Sequence, residues 1–239
     1  MKISRKRIIT LWVALWAIWL VLLIQPENRG ILRLAVLVLF LGQLLGGLAL
    51  FWKRKPVRFG IIVLIVLTSL PLALPSRAVD PARLREAYID SLKPYDCTTY
   101  ICGGENRIGI DCSGLVRRGF ICAALKQGLA EFNGSLVRKA CELWWYDASA
   151  EAMRDEYRGD SVVLFEAPGL NTLDHGKLLP GDFAVTRNGV HTLVYIGDNR
   201  WMQADPGRGR AQYETIPVHD SGWFSTPVVL LRWRLLHQT

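Results

Sequence analysis

Gly109-Ile110-Asp111-Cys112-Ser113-Gly114-Leu115 is the stretch on which the reading of this chain turns. Asp111 is a cap-type residue, and Leu115, Val116, Phe120 and Ala124 follow it at helical spacing. The pattern predicts a helix from Cys112–Ser113 to about Lys126, ended by Gly128, with Cys112 in its first turn. Free N–H groups and a partial positive charge collect at such a tip. They favour thiolate over thiol, so the expectation is a Cys112 pKa below the ordinary value of about 8.5. Taken alone, Cys112 also reads as a buried structural cysteine.

A base is needed to separate the two readings. His191 opens a predicted strand in Gly189-Val190-His191-Thr192-Leu193-Val194-Tyr195-Ile196-Gly197, and Gln203 follows in Trp201-Met202-Gln203-Ala204-Asp205. A neutral imidazole takes a thiol proton and returns it to a leaving amine, while a buried amide fixes the ring through its other nitrogen. The side-chain period of strands adds a geometric condition. A strict two-residue turn at Asp198-Asn199 puts His191 and Gln203 on opposite faces of the sheet. A longer or bulged connection puts them on one face, and the triad requires it.

Outward from these blocks, Asp80-Pro81 starts a helix carrying Leu84, Tyr88 and Leu92, and Ser135 to about Trp145 reads as another. Strands are predicted at Phe183–Thr186, Val190–Ile196, Trp201–Ala204 and Val228–Leu236, the first two joined by an Asn188-Gly189 hairpin turn. Helices followed by antiparallel strands make an α+β domain. Residues 146–180 show no clear period.

Tyr100-Ile101-Cys102-Gly103-Gly104, Asp111-Cys112-Ser113-Gly114-Leu115, Leu179-Pro180-Gly181-Asp182 and His191 with Tyr195-Ile196-Gly197, in that order, resemble the NlpC/P60 cysteine peptidases. The resemblance covers most of residues 81–206. It implies a papain-like α+β fold, helices on an antiparallel sheet, that hydrolyses amide bonds in bacterial cell-wall stem peptides. It makes Cys112 the nucleophile, His191 the base and Gln203 the third polar residue. Tyr100, with Ser113 beside the nucleophile, would serve the oxyanion or the substrate. Cys102 stands where the family commonly has Trp. The interval from Cys112 to His191 is long for the family, which places an insertion within 128–180 that includes Trp144-Trp145-Tyr146. That cluster would either wall the substrate groove or lie on the outer leaflet.

The other ionisable residues read more plainly. No cofactor is implied, because the cysteines and histidines match no zinc spacing. Cys97, Cys102, Cys122 and Cys141 allow two disulfides in three connectivities, or four isolated thiols. His175 is a rival base. Arg208 and Arg210 could pair with a substrate carboxylate. Asp111 and Asp182 are expected to cap turns.

The first third has a different character. Residues 1–78 hold eleven Lys/Arg against the single acid Glu27, whereas residues 79–239 are slightly acidic. The basic excess therefore does not belong to the folded domain, which excludes a nucleic-acid-binding globule. Three apolar runs, about 8–24, 34–52 and 59–75, suit the roughly 17–25 residues of a spanning helix. The reading is a membrane anchor over 1–76 and a catalytic domain over 77–239. Lys2, Arg5, Lys6 and Arg7 precede the first run, and Lys53, Arg54, Lys55 and Arg58 separate the last two. Basic flanks stay cytoplasmic, so the expected topology is a multi-pass inner-membrane protein with its N-terminus inside and everything after Leu74 outside. Gly42-x-x-x-Gly46 and the row Trp12, Trp16, Trp19 are read as packing within the chain.

The function expected from the sequence is thus a membrane-anchored thiol hydrolase whose partners are wall stem peptides and the bilayer. A thiol acyltransferase or lipid-modifying enzyme on the same fold, and a non-catalytic wall-binding module, are the alternatives.

Overall fold

The computed structural model describes residues 4–237; Lys2, counted above in the N-terminal basic flank, lies outside them. Helices α1 (Arg5–Ile24), α2 (Gly30–Phe51) and α3 (Lys55–Ser69, extended by a 3-10 turn to Ala73) are each long and apolar enough to cross a membrane. Large apolar side chains such as Leu11, Val21, Leu45, Phe59 and Leu67 point outward from them, which suits lipid and not water. The tryptophan row binds α1 to α2: Trp12 Nε1 donates to Gln43 O (3.1 Å) and Trp19 Nε1 to Val36 O (3.0 Å). Gly46 and Gly47 give Trp12 its room, while Gly42 faces open space.

The rest of the chain is an α+β unit. Helices α4 (Pro81–Leu92), α5 (Cys112–Ala130), α6 (Gly134–Trp145) and the short α7 (Ala150–Arg154) precede or flank a six-stranded antiparallel sheet. Its strands are β1 (Ser161–Ala167), β2 (Phe183–Thr186), β3 (Thr192–Gly197), β4 (Arg200–Asp205), β5 (Arg210–Thr215) and β6 (Val228–Trp233), in the order β1-β6-β2-β3-β4-β5. One sheet face meets the helices through Leu84, Tyr88, Phe120, Val194, Met202 and Trp233. The other packs Leu193, Tyr195, Trp201, Phe224 and Leu230 under the connecting segments. Alternate residues of β3 and β4 thus feed two separate cores, as the strand period demands.

Several expectations need correction. Gly128 does not end α5, which continues to Ala130; a Cβ there would lie 3.0 Å from the Leu136 Cβ, so the glycine allows α6 to cross closely. The Asn188-Gly189 turn is not a tight hairpin, and His191 does not open the strand. Thr186 Oγ1 accepts the N–H groups of Val190 (3.2 Å) and His191 (2.9 Å), and ladder pairing begins only at Val185 opposite Thr192. The segment 146–180, which showed no clear period, supplies α7 and β1, and β1 pairs along β6. Strand β5 was not foreseen, and β6 stops at Trp233.

Candidate active site

Asp111 caps α5 as its residue type requires. Its Oδ1 accepts from Gly114 N (2.5 Å) and Ser113 Oγ (2.9 Å), and its Oδ2 from Gly103 N (2.8 Å). A side chain at Gly114 would run into the Gly104 carbonyl, at 2.2 Å from its Cβ, so only glycine lets the loop before the helix close over its first turn. Cys112 stands at that turn with 7% of its surface exposed.

The connection between β3 and β4 meets the geometric condition in an unexpected way. Asp198 (φ 51°) and Asn199 (φ 57°) form a tight two-residue turn, and Gly197 pairs with Arg200. A bulge at Ile196 then shifts the register, so that Tyr195 pairs with Trp201 and Leu193 with Gln203. The extra residue moves Gln203 to the side of the sheet shared by Leu193 and, two residues earlier, His191. There the His191 Nε2–H donates to Gln203 Oε1 at 2.8 Å, both side chains buried.

The remaining nitrogen of His191, Nδ1, keeps its lone pair. Trp223 stacks on the ring (4.3 Å between centroids, 23° between planes) and donates Nε1–H to Asp205 (3.3 Å). Sequence reasoning missed both residues. Asp205 falls two positions after Gln203 and so on the same face, which is a usable signal; Trp223 comes from a separate segment and gives none.

The sulfur of Cys112 lies against the backbone on both sides of His191. Its thiol points to Val190 O at 3.9 Å, and the Thr192 N–H faces the sulfur. In this resting arrangement the hydrogen bond goes to the carbonyl and not to the imidazole. The thiol pKa is pushed up to about 12, by burial first and the Asp111 carboxylate second, and the backbone N–H groups that pull it down do not balance these. The expected depression is therefore corrected: the carboxylate that caps the helix also opposes a second negative charge beside it. Burial lowers the His191 pKa, against smaller upward contributions from Gln203 and Asp205. The resting pair is neutral thiol and neutral imidazole.

The other candidates are distributed around this centre. Burial first, and then the neighbouring Cys112, Asp111 and Asp205 groups wherever they are ionised, raise the Tyr100 phenol pKa, which leaves it a neutral donor. The Ser113 hydroxyl is engaged by Asp111. Arg208 lies between Asp220 (2.5 Å), Glu214 (3.6 Å) and Asp205 (3.9 Å), and a substrate carboxylate would have to compete with all three. His175 is at the opposite end of β4: its Nδ1–H donates to Leu173 O (2.8 Å) and its Nε2 accepts from Trp201 (3.1 Å), which leaves no free nitrogen for base work. Asp182 receives Arg232 in two-pronged fashion (2.6 and 2.8 Å) and Leu179 N. All five cysteines are free thiols, Cys97, Cys102 and Cys141 being exposed. The Trp144 ring and the Trp145 carbonyl face the anchor: the Arg33 guanidinium lies 6.0 Å from the Trp144 ring and donates to Trp145 O (3.4 Å).

No protein-family model and no curated protein matches the sequence. Among solved structures, NlpC1 from Trichomonas vaginalis is similar at 18% identity over 65% of this chain and 45% of its own, with a TM-score of 0.41. The NlpC/p60 domain of the peptidoglycan hydrolase SagA is similar at 17% identity over 63% of this chain and 98% of its own (TM-score 0.35). The P60 domain of an antigen from M. avium subspecies paratuberculosis is similar at 15% over 67% and 100% (TM-score 0.39). The chain spans less than half the length of the Trichomonas protein.

Proposed function

We propose that this chain is a membrane-anchored thiol hydrolase of cell-wall stem peptides, with Cys112 as nucleophile, His191 as base and Gln203 as the group that orients the base. One observation carries this reading: a buried His191–Gln203 pair on the segment whose backbone, Val190 O and the Thr192 N–H, lies against the Cys112 sulfur at the helix tip. Because both groups are neutral at rest, thiol deprotonation and attack belong to one step. The Cys112 side chain turns from Val190 O, its proton passes to His191 Nδ1, and the sulfur adds to the amide carbonyl. N–H groups at the start of α5, with Tyr100 as a further donor, hold the developing oxyanion; one such contact is worth roughly 3–4 kcal/mol in a well-studied protease. Collapse breaks the C–N bond, His191 gives the proton to the departing amine, and a thioester remains. Water then adds to the thioester, loses a proton to His191 and releases the carboxylic acid and the thiol.

The substrate class rests on the motif resemblance and on an extracytoplasmic domain. Basic flanks favour that orientation. The contact of residues 25–28 with the loop before Cys112 agrees with it, since it requires the α1–α2 connection and the domain to share one side of the bilayer. The test is incubation of the full chain in detergent with purified muropeptides and assignment of the cleaved bond by mass spectrometry. A new amine and acid pair is expected from the native protein and none from Cys112→Ala. Intact muropeptides in both would overturn the reading.

A further inference from the structure

The segment 103–106 is held from two sides. Towards the anchor, Asn28 N donates to Gly103 O (3.2 Å), Glu105 N donates to Pro26 O (3.0 Å), and Asn106 Nδ2 donates to Ile24 O and Gln25 O (both 2.8 Å). Towards the nucleophile, Gly103 N donates to the capping carboxylate of Asp111 (2.8 Å) and Asp111 N donates to Gly104 O (3.1 Å). Residues 103–106 thus carry both the edge on which the α1–α2 connection docks and the support of the cap beside Cys112, with Gly103 serving both.

A buried charge cluster locks the junction. Arg33, on the first turn of α2 and wholly buried, pairs with Glu105 (2.9 Å) and Asp147 (3.5 Å). Arg117, one turn beyond Cys112 on α5, pairs with Glu105 and with Asp147 (2.6 Å), and Asn28 Nδ2 donates to Glu105 (2.9 Å). Two cations and two carboxylates balance. Arg33, Glu105 and Arg117 are shut off from water while Asp147 closes the cluster at a half-exposed edge, so removing Arg33 or Glu105 leaves a buried charge short of a partner.

We propose that the anchor is part of the machinery that sets the nucleophile, with Arg33 as a positioning residue acting through Glu105 on the loop that caps Cys112. This rests on the reading of Cys112 as nucleophile but not on the identity of the substrate. Arg33 makes its contacts some distance from the thiol, and its effect is on geometry: a misplacement of the order of 1 Å at a reacting group costs about 100-fold in rate.

The experiment uses the full chain in nanodiscs with two readouts, muropeptide hydrolysis and the rate of iodoacetamide alkylation at each cysteine by peptide mass. Arg33→Gln is expected to lower kcat about 100-fold with KM nearly unchanged. It should also unmask the thiol, raising Cys112 alkylation about tenfold while exposed Cys97 and Cys141 keep their rates. Arg33→Lys, which keeps the charge opposite Glu105, should recover part of kcat. Arg29→Gln removes an equal charge from an exposed site next to α2 and should change neither readout. Faster alkylation of Cys122 in step with Cys112 would mean that Arg33→Gln unfolds α5. The decision then passes to the milder double variant Asn28→Ala, Asn106→Ala, for which the same pair of changes is expected. Native kcat together with native Cys112 alkylation overturns the proposal, as does a rise in KM at unchanged kcat. Should the native chain cleave no muropeptide, the function proposed above fails while alkylation still decides this inference.

Discussion

At the level of single residues the candidate site is a set of compromises over burial. The Asp111 carboxylate is needed to cap α5, and the same charge helps push the neighbouring thiol up to about 12. On the proposed mechanism, the work of ionisation falls to the imidazole. Because burial lowers the His191 pKa from 6.5, the base stays in its working neutral form as pH falls through 6.5 and is protonated only below it. The acidic limb of kcat/KM should accordingly have its midpoint below 6.5, read from initial rates across pH 4–8, a range set around the ordinary histidine value of about 6.5. Cys112→Ala should abolish turnover while leaving substrate binding in place. Cys112→Ser should be nearly as inactive, since the hydroxyl is a far weaker nucleophile where thiol chemistry is set up. Gln203→Ala removes the hydrogen bond that orients the ring, an interaction worth about 1 kcal/mol in stability, and should slow turnover without stopping it; a native rate in that variant would take Gln203 out of the mechanism.

Among the elements, the bulge at Ile196 has the largest effect for the smallest change. Paired regularly, with Ile196 opposite Trp201, the hairpin would carry His191 to the face opposite Gln203; deleting Ile196 instead keeps Tyr195 opposite Trp201 and Leu193 opposite Gln203, and so leaves the two side chains on one face. The expected result for that deletion is retained hydrolysis with the far-ultraviolet circular dichroism of an α+β protein; loss of hydrolysis in a folded variant would count against this register. The same strands show how far local pattern reaches. The helices α4 and α5 were legible because cap-type residues at Asp80 and Asp111 precede apolar residues at helical spacing, whereas α6, read from Ser135, starts one residue earlier under a cap at Asn133 that the reading had not used. Central strands β2, β3, β4 and β6 were legible because they are dense in buried apolar residues. The two strands that were not legible, β1 and β5, are the two edges of the sheet. Strand β1 carries a register shift between Val163 and Phe165 that spoils its alternation, and β5 is Arg-Ala-Gln-Tyr-Glu-Thr, largely polar. An edge strand is defined by its partner more than by its own sequence. Of the candidate site, the residue types at 112, 191 and 203 could be read from the chain. The sign of the Cys112 shift could not, because burial is set by the packing of residues far apart in sequence.

For the whole molecule, the largest departure from the sequence reading is the junction between anchor and domain. Arg33 looked like a loop residue, and Glu105, 72 positions away, had no visible partner; a long-range ion pair leaves no periodic signature. The proposed topology has its own check: Cys97 and Cys141, both exposed, should react with a membrane-impermeant maleimide in intact spheroplasts. Labelling only after lysis would place the domain in the cytosol.

The exit from α3 is fastened as well. Gly134 N donates to Pro75 O (2.9 Å), and the Arg138 guanidinium grips Leu72 O, Leu74 O and Ser76 Oγ. A catalytic head on a loose leash would sweep a hemisphere and graze on whatever polymer came within its radius. On the proposed function, a head moored at two points would keep a fixed altitude and heading over the lipid; its reach would be a thin shell next to the membrane, and any strand it trimmed would have to be delivered to that depth.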